Sequence, residues 1–493
     1  MAFPLANTKR PILNVLTNAI DAAGRAIRNS LIKRSALSHT LALNGQALIT
    51  ALGQAPRRVA DVARDANLGV TCAASGLGSD VDLGAADWPF IFDVMKQVAE
   101  VTGETIHVLG DDSTWKDMTA VKFGTWVQKP NKSGFVELAI ADKEHRLADR
   151  LSINLWRQVG GGIEAVARTA PIKKVIDAAG LSKARSDAFV ESVDVVYTWV
   201  NAEDPGWREL VAPYRKLFNV DQDRFAQVDE LKYSIRSLFT FAPWVRKVFI
   251  FSNCAPPVWF KPSERVQWVM HNEVIPERYL PLFSSHAIET FLHEIPGLSE
   301  RYVYFNDDVF LSAAVRPTDF FNAYGHSVSR MESSGAIEHL MQSVKSGNAE
   351  EWQHAAVNCA NLMLRTTGVL PSKLHCHAPH VYSRSVYSDL AATFPEQLEI
   401  TRNARFRQRT DYSFSSFMYH HFALWRGRAA HVNETAMVVR ATNYKRFLSN
   451  RVYSAQRFFC VNDGGGSAND ADFRHFKDTF LSKHYGLKSP AET

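Results

Sequence analysis

The sequence predicts an α/β fold built on a doubly wound, Rossmann-like sheet, and three apolar runs that end in acids or amides predict it. DVVYTWV at 194–200, RKVFIFSN at 246–253 and RYVYFNDDVFL at 301–311 are too continuously apolar for half-exposed strands. They read as strands covered on both faces. Between the first two, DELKYSIRSLFTFAPW at 229–244 sets Leu231, Ile235 and Leu238 on one helical face and Lys232 and Arg236 one turn apart on another. Strand, helix, strand, helix and an acid-tipped strand is the order of a nucleotide-binding α/β layout.

From the amino terminus, residues 1–58 hold eight Lys or Arg (Lys9, Arg10, Arg25, Arg28, Lys33, Arg34, Arg57, Arg58) against one acid, Asp21. That is +7 of a chain total of +5, which leaves the rest near −2. Ile12, Leu16, Ile20, Ala23, Ile27 and Leu31 recur there at helical spacing. Two readings of this basic amphipathic helix stay open: it lies on an anionic membrane surface, or it packs on its own domain with a solvated basic face. Nucleic acid is not indicated, because no aromatic residues interleave with the charge.

Residues 59–170 read as a small α/β module with strands near 69–74, 105–109 and 134–140 and a helix near 90–101, without a chemical motif. Residues 171–192 read as a connector, 193–493 as the catalytic domain, and 329–374 as a mostly helical insertion within it. With 493 residues and 46% apolar content the chain can bury a large core, and its length suggests two to three domains. Five scattered cysteines, Cys72, Cys254, Cys359, Cys376 and Cys460, argue against a disulfide framework and for a reducing compartment. No apolar run of membrane-spanning length and no signal-peptide pattern appears, so a cytoplasmic location is expected, with peripheral membrane contact left open.

The chemistry is expected where the third run breaks. Ligands of open α/β sheets bind beyond the carboxyl ends of strands, and adjacent carboxylates there repel unless a cation or a shared proton holds them. Asp307 and Asp308 therefore read as oxygen ligands of Mg²⁺ or Mn²⁺ on a nucleotide diphosphate, or as an ordinary polar turn. Asp463 in VNDGGG reads as a further ligand or as a plain Asp-Gly turn. In HCHAPH at 375–380, four candidate zinc ligands are spaced too tightly for the usual paired pattern.

Four blocks of this sequence resemble the Stealth proteins, which include bacterial capsule and exopolysaccharide phosphotransferases and an animal N-acetylglucosamine-1-phosphotransferase. They are DVVYTWVNAEDP (194–205), the stretch from RFAQVDELKYSIRSLFTF to RYVYFNDDVFL (224–311), HAPHVYSRSVYSDLAATFPEQLEITRNARFR (377–407), and FFCVNDGGG with its following tail (458 to about 487). The resemblance implies a core like that of metal-dependent glycosyltransferases, and transfer of a sugar 1-phosphate from a nucleotide sugar to a glycan hydroxyl. Such an enzyme would feed a polysaccharide export machine.

It also implies roles. His377 is the expected general base, Arg407 a clamp on the phosphoryl group, and Asp308 a catalytic carboxylate. Asp194, Glu230, Lys232, Arg236, His286, Glu289, His380, Arg405 and Asn462 are expected to line the substrate site, and Asp307, Asp308 and Asp463 to hold the metal. Asn201, Ser284 and the Cys254-Ala255 pair depart from the bacterial pattern, so no metal role attaches to Asn201. Two rivals remain: a glycosyltransferase that attacks the anomeric carbon, and an inactive scaffold of a polysaccharide assembly.

Overall fold

The computed structural model describes residues 73–75, 78–85, part of 88–99, 103–118, 135–168, 173–176, 191–217, 229–454 and 456–493. The basic helix expected in 1–58, and most of the connector at 171–192, lie outside these residues. The chain divides into two compact units, residues 1–187 and 188–493.

In the first unit, β1 (Ala73–Ser75), β2 (Gly78–Gly84), β3 (Thr105–Leu109), β4 (Trp115–Asp117), β5 (Val136–Ala141), β6 (Leu147–Val159), β7 (Gly162–Ala165) and β8 (Lys174–Val175) share one sheet. Its main path runs β1-β2-β6-β5-β3-β4, and β7 and β8 carry it past the expected boundary at 170. Helical Trp88, Phe92 and Ala99 pack on Ile106, Leu138, Ile140 and Ile153. Under the sheet, Arg150 meets Glu137 at 2.8 Å, both buried.

The second unit is built on β9 (Val193–Trp199), β10 (Val248–Ser252), β11 (Val266–Met270) and β12 (Arg301–Asn306), all parallel. Every residue of β10 is buried, as its unbroken apolar run requires. The helix Glu230–Phe241 connects β9 to β10, with Leu231, Ile235 and Leu238 buried as the periodicity predicts. Further along come β13 (Val309–Leu311), β14 (Ser327–Ala336), β15 (Lys373–His375), β16 (His380–Ser383), β17 (Ala429–Glu434), β18 (Met437–Val439) and β19 (Phe458–Val461). The main sheet has the order β11-β10-β9-β12-β16, with β16 antiparallel on the β12 edge. From β9 the chain steps outward through β10 to β11 and then returns to β12 on the other side of β9. This reversal opens a crevice at the carboxyl ends of β9 and β12, where such sheets bind ligands.

Two expectations change. The segment from 329 opens as β14, not as a helix, because Ser327–Glu332 pairs with β17 about a hundred residues later, and long-range pairing overrides local preference. Only Ile337–Lys345 and Glu351–Thr367 of that insertion are helical. Asp194, expected beside the nucleotide, lies at the opposite end of the sheet from Asp308: it pairs in register with Tyr302, while Thr198 pairs with Asn306. There it is fully buried, takes both forks of Arg246 at 2.9 and 2.5 Å, and accepts from the Lys247 and Ser299 amides. It clips β9 to the turns before β10 and β12. Asp194→Asn is therefore expected to lower stability by roughly 3 kcal/mol while the folded fraction keeps its turnover. A denaturant titration beside a specific-activity assay checks this, and lost turnover at unchanged stability would return Asp194 to the substrate site.

Candidate active site

β12 stops at Asn306, the chain turns through Asp307 and Asp308, and β13 resumes. Because β13 pairs with β19, with Val309 opposite Cys460, the VNDGGG loop is delivered to the same turn from 150 residues away. Cys460 Sγ lies 3.1 Å from Asp308 Oδ2, and Asn462 Nδ2 lies 3.3 Å from the same oxygen. Both are donors, so Oδ2 is held and Oδ1 is turned away. On the other side, β16 pairs with β12 through His380 and Tyr304, which carries the HCHAPH segment over the end of β12. His377 Nε2 then faces Asp308 Oδ1 at 3.8 Å. That is too long for a hydrogen bond, and both atoms are buried without a hydrogen-bond partner among the described residues.

The two groups hold each other in their charged forms. Burial would lower the His377 pKa, but the Asp308 carboxylate outweighs it, and the imidazole is raised above the ordinary 6.5. Burial would likewise raise Asp308, yet His377, with Cys460 and Asn462 donating, holds it below the usual carboxylate range. Asp307, half-buried at the turn, acts electrostatically on Tyr304 and Cys460.

A second cluster adjoins through β12. The Tyr304 hydroxyl bonds to Thr198 and Asn306, both at 2.8 Å, and reaches Glu289 Oε1 at 3.4 Å. Burial pushes the Glu289 carboxyl up to about 7, against the opposing pull of Arg407 and Tyr304. Arg407 is held by Ser285 Oγ at 3.0 and 2.5 Å. Next to Ser285, His286 Nδ1 lies 3.0 Å from Asp411 Oδ2, with both side chains buried. His377, Asp307, Asp308 and Asn462 thus gather at the carboxyl end of β12, and Glu289, on which Arg407 acts, adjoins them through Tyr304.

Other expected site residues do not join them. Asp463 offers both oxygens to Lys477 Nζ at 2.8 Å, and Glu230 takes the same ammonium at 2.6 Å, so these two acids neutralise a buried lysine. Arg236 pairs with Glu492 at 2.5 Å and the Tyr485 carbonyl at 2.9 Å. Arg405 donates to the carbonyls of Pro281 and Leu280 and lies over the Tyr214 ring. Lys232 turns to Asp229, 2.5 Å away at the helix start. His380 is buried behind His377, and burial drops its pKa to about 3.

The HCHAPH side chains also diverge. Cys376 donates to the Glu434 carbonyl, His377 faces Asp308, and His375 and His380 group with His420. The His375 ring stacks on those of His420 and His380 at 3.9 and 4.2 Å. Lone pairs lie in the ring planes, and near-parallel stacked planes do not converge on one ion.

Three residues escaped the sequence reading. Cys460 counts there only among the scattered cysteines, and Asp411 is not singled out. Arg440, exposed after β18, bonds Asn462 Oδ1 at 3.2 Å and acts electrostatically on His377. In metal-free protein, NMR titration of the His377 ring is expected to give a midpoint above 6.5. Asp308→Asn should lower that midpoint, since the Asp308 carboxylate is the main influence opposing burial; an unchanged midpoint would separate the two groups.

Three family models match this chain: Stealth protein conserved region 1 at residues 191–217, region 2 at 224–329 and region 3 at 376–424. The capsular polysaccharide phosphotransferase SacB of Neisseria meningitidis serogroup A is 34% identical over 313 residues, 61% of this chain and 57% of SacB. An exopolysaccharide phosphotransferase of Streptomyces coelicolor is 34% identical over 360 residues, 70% of this chain and 59% of its own. The chain thus spans somewhat over half the length of these two relatives. The capsular polysaccharide phosphotransferase fcs1 of Haemophilus influenzae is 31% identical over 316 residues, 59% of this chain and 84% of fcs1. Among solved structures, the galactosyltransferase LgtC, in complex with donor and acceptor sugar analogues, aligns with 60% of this chain and 96% of its own, at 11% identity and a TM-score of 0.32. That similarity is too low to argue from. The regions that match in order contain His377, Asp308, Glu289 and Arg407, and one relative is matched over most of its length: the chain belongs to the Stealth family.

Proposed function

We propose that the chain is a sugar-1-phosphate transferase of capsule or exopolysaccharide synthesis. In this reading it moves a sugar 1-phosphate from a nucleotide sugar, UDP-linked by preference, to a hydroxyl of an acceptor glycan. The names of the relatives support the class of reaction. The observation that carries it is the approach of His377 Nε2 to Asp308 Oδ1, 3.8 Å apart at the mouth of the sheet crevice, with Arg440 acting on His377.

Each residue then has a task. The acceptor hydroxyl gives its proton to His377 Nε2 as its oxygen bonds to the sugar-bearing phosphorus. The phosphoanhydride bond breaks, and its bridging oxygen leaves with the nucleoside monophosphate. Asp308 makes His377 a stronger base than a free imidazole, while reducing its neutral fraction at pH 7. Arg407, steadied by Ser285 and beside Glu289, and Arg440, steadied by Asn462, offer forked donors to phosphate oxygens. Positioning and charge neutralisation are most of what phosphoryl transfer needs.

Asp308 Oδ1, which has no hydrogen-bond partner among the described residues, and the adjacent Asp307 fit a hard divalent cation, whereas Asp463, committed to Lys477, does not. Mg²⁺ or Mn²⁺ held by Asp307 and Asp308 would neutralise the donor diphosphate. Among the described residues no helix is long and apolar enough to cross a membrane.

A panel of nucleotide sugars tests the reading by its leaving group. Nucleoside monophosphate and a phosphodiester signal in the glycan by phosphorus NMR are expected; nucleoside diphosphate with a phosphorus-free linkage would make the chain a glycosyltransferase. Asp308→Asn should lower turnover at least about a hundredfold, and excess chelator should abolish it. Retained activity in chelator would remove the metal. His377→Ala and Arg407→Ala should each lose most turnover at an unchanged melting temperature; a variant that unfolds, or that keeps near-normal kcat, has a structural residue at that position.

A further inference from the structure

A cavity of about 520 Å³ lies beside the catalytic centre, between β14, β17 and the start of β19. Its walls include Thr318, Asp319, Arg330, Glu434, Thr435 and Gln456. Two ion pairs balance its charge: Arg330 with Glu434 at 2.8 Å and Arg457 with Asp319 at 2.8 Å. Arg330 is nearly fully buried, clamped against the Phe320 and Phe458 rings, and its Nη1 has no hydrogen-bond partner among the described residues. Among those residues none pairs with the side chains of Thr318, Thr435 or Gln456 either. Uncommitted hydroxyl and amide groups beside two ion pairs form a polar surface suited to a polar ligand.

The cavity is tied to the chemistry along one strand. Glu332, two residues beyond Arg330 on the same face of β14, acts electrostatically on His377. From the neighbouring strand, the Glu434 carbonyl takes the thiol of Cys376 at 3.0 Å, one residue before His377.

We propose that this cavity is a sugar subsite that holds a pyranose unit of the acceptor glycan one residue away from the reacting hydroxyl, an assignment that rests on the transfer reading above. Paired carboxylate and guanidinium walls with free hydroxyl and amide groups suit the adjacent hydroxyls of a sugar. The balanced charge does not suit a phosphate as the recognised group. Val328, Val432 and Phe458, which also line it, give the apolar surface that a sugar ring covers.

The test is binding, independent of turnover. Saturation-transfer NMR is run on the full chain with methyl pyranosides of glucose, galactose, mannose and their N-acetylamino forms, and with their oligomers. At least one is expected to bind, and the double variant Thr435→Ala, Gln456→Ala should bind it about tenfold more weakly at an unchanged melting temperature. In the nucleotide-sugar assay the same variant should release monophosphate to water at the wild-type rate and need more glycan for half-maximal transfer. No binding by any glycan, or equal binding by the variant, overturns the subsite. Glycan binding that the variant weakens, with no monophosphate released from any donor, instead overturns the transfer reading and leaves a glycan-binding cavity.

Discussion

The Lys477 ammonium, closed between Glu230 and Asp463, is the contact on which the catalytic geometry hangs. It is almost fully buried, and a charge in that position is tolerated only with its counter-charges in place. Glu230 opens the helix that leads into β10, Asp463 sits in the glycine loop after β19, and Lys477 belongs to the helix Ala471–His484. One cation therefore sets the loop against the helix, and the loop sets Asn462 and Cys460 against Asp308 Oδ2. Oδ1 is then the oxygen left to face His377.

Two carboxylates near β12 show how surroundings divide one chemistry into two roles. Glu289 is buried beside a tyrosine, and desolvation drives it toward the neutral acid near pH 7. Asp308 has a cationic partner and two donors, and stays ionised. Acid and base assignments follow from environments that push such values apart. Here the separation runs along a single strand end, with Tyr304 and Asn306 between the two.

Much of this site was legible in the sequence, because strand ends announce themselves: an apolar run that breaks into acids locates Asp307 and Asp308 without any contact map. His377, Glu289 and Arg407 were reached through a family resemblance rather than through their spacing. What stayed hidden was pairing over long separations. Asp194 and Asp308 both flank apolar runs, and only the register shows that they stand at opposite ends of the sheet. Arg236 and Arg405 have the chemistry of phosphate ligands, yet Glu492, 256 residues on, claims the first, and backbone carbonyls claim the second. Arg440 and Cys460 gave no signal of their own, since each matters only through the residue that it touches.

The pairing of β13 with β19 joins residues about 150 positions apart, and Lys477 reaches back 247 positions to Glu230. Contacts of that span form late, because the intervening chain must first be closed into loops. On the ribosome, where domains assemble from the amino terminus, the main sheet can pair up to β16 while Asp308 still lacks Asn462 and Cys460. Until the helix carrying Lys477 has emerged and docked, the nascent chain holds His377 and Asp308 but not the contacts that turn Asp308 Oδ1 toward His377.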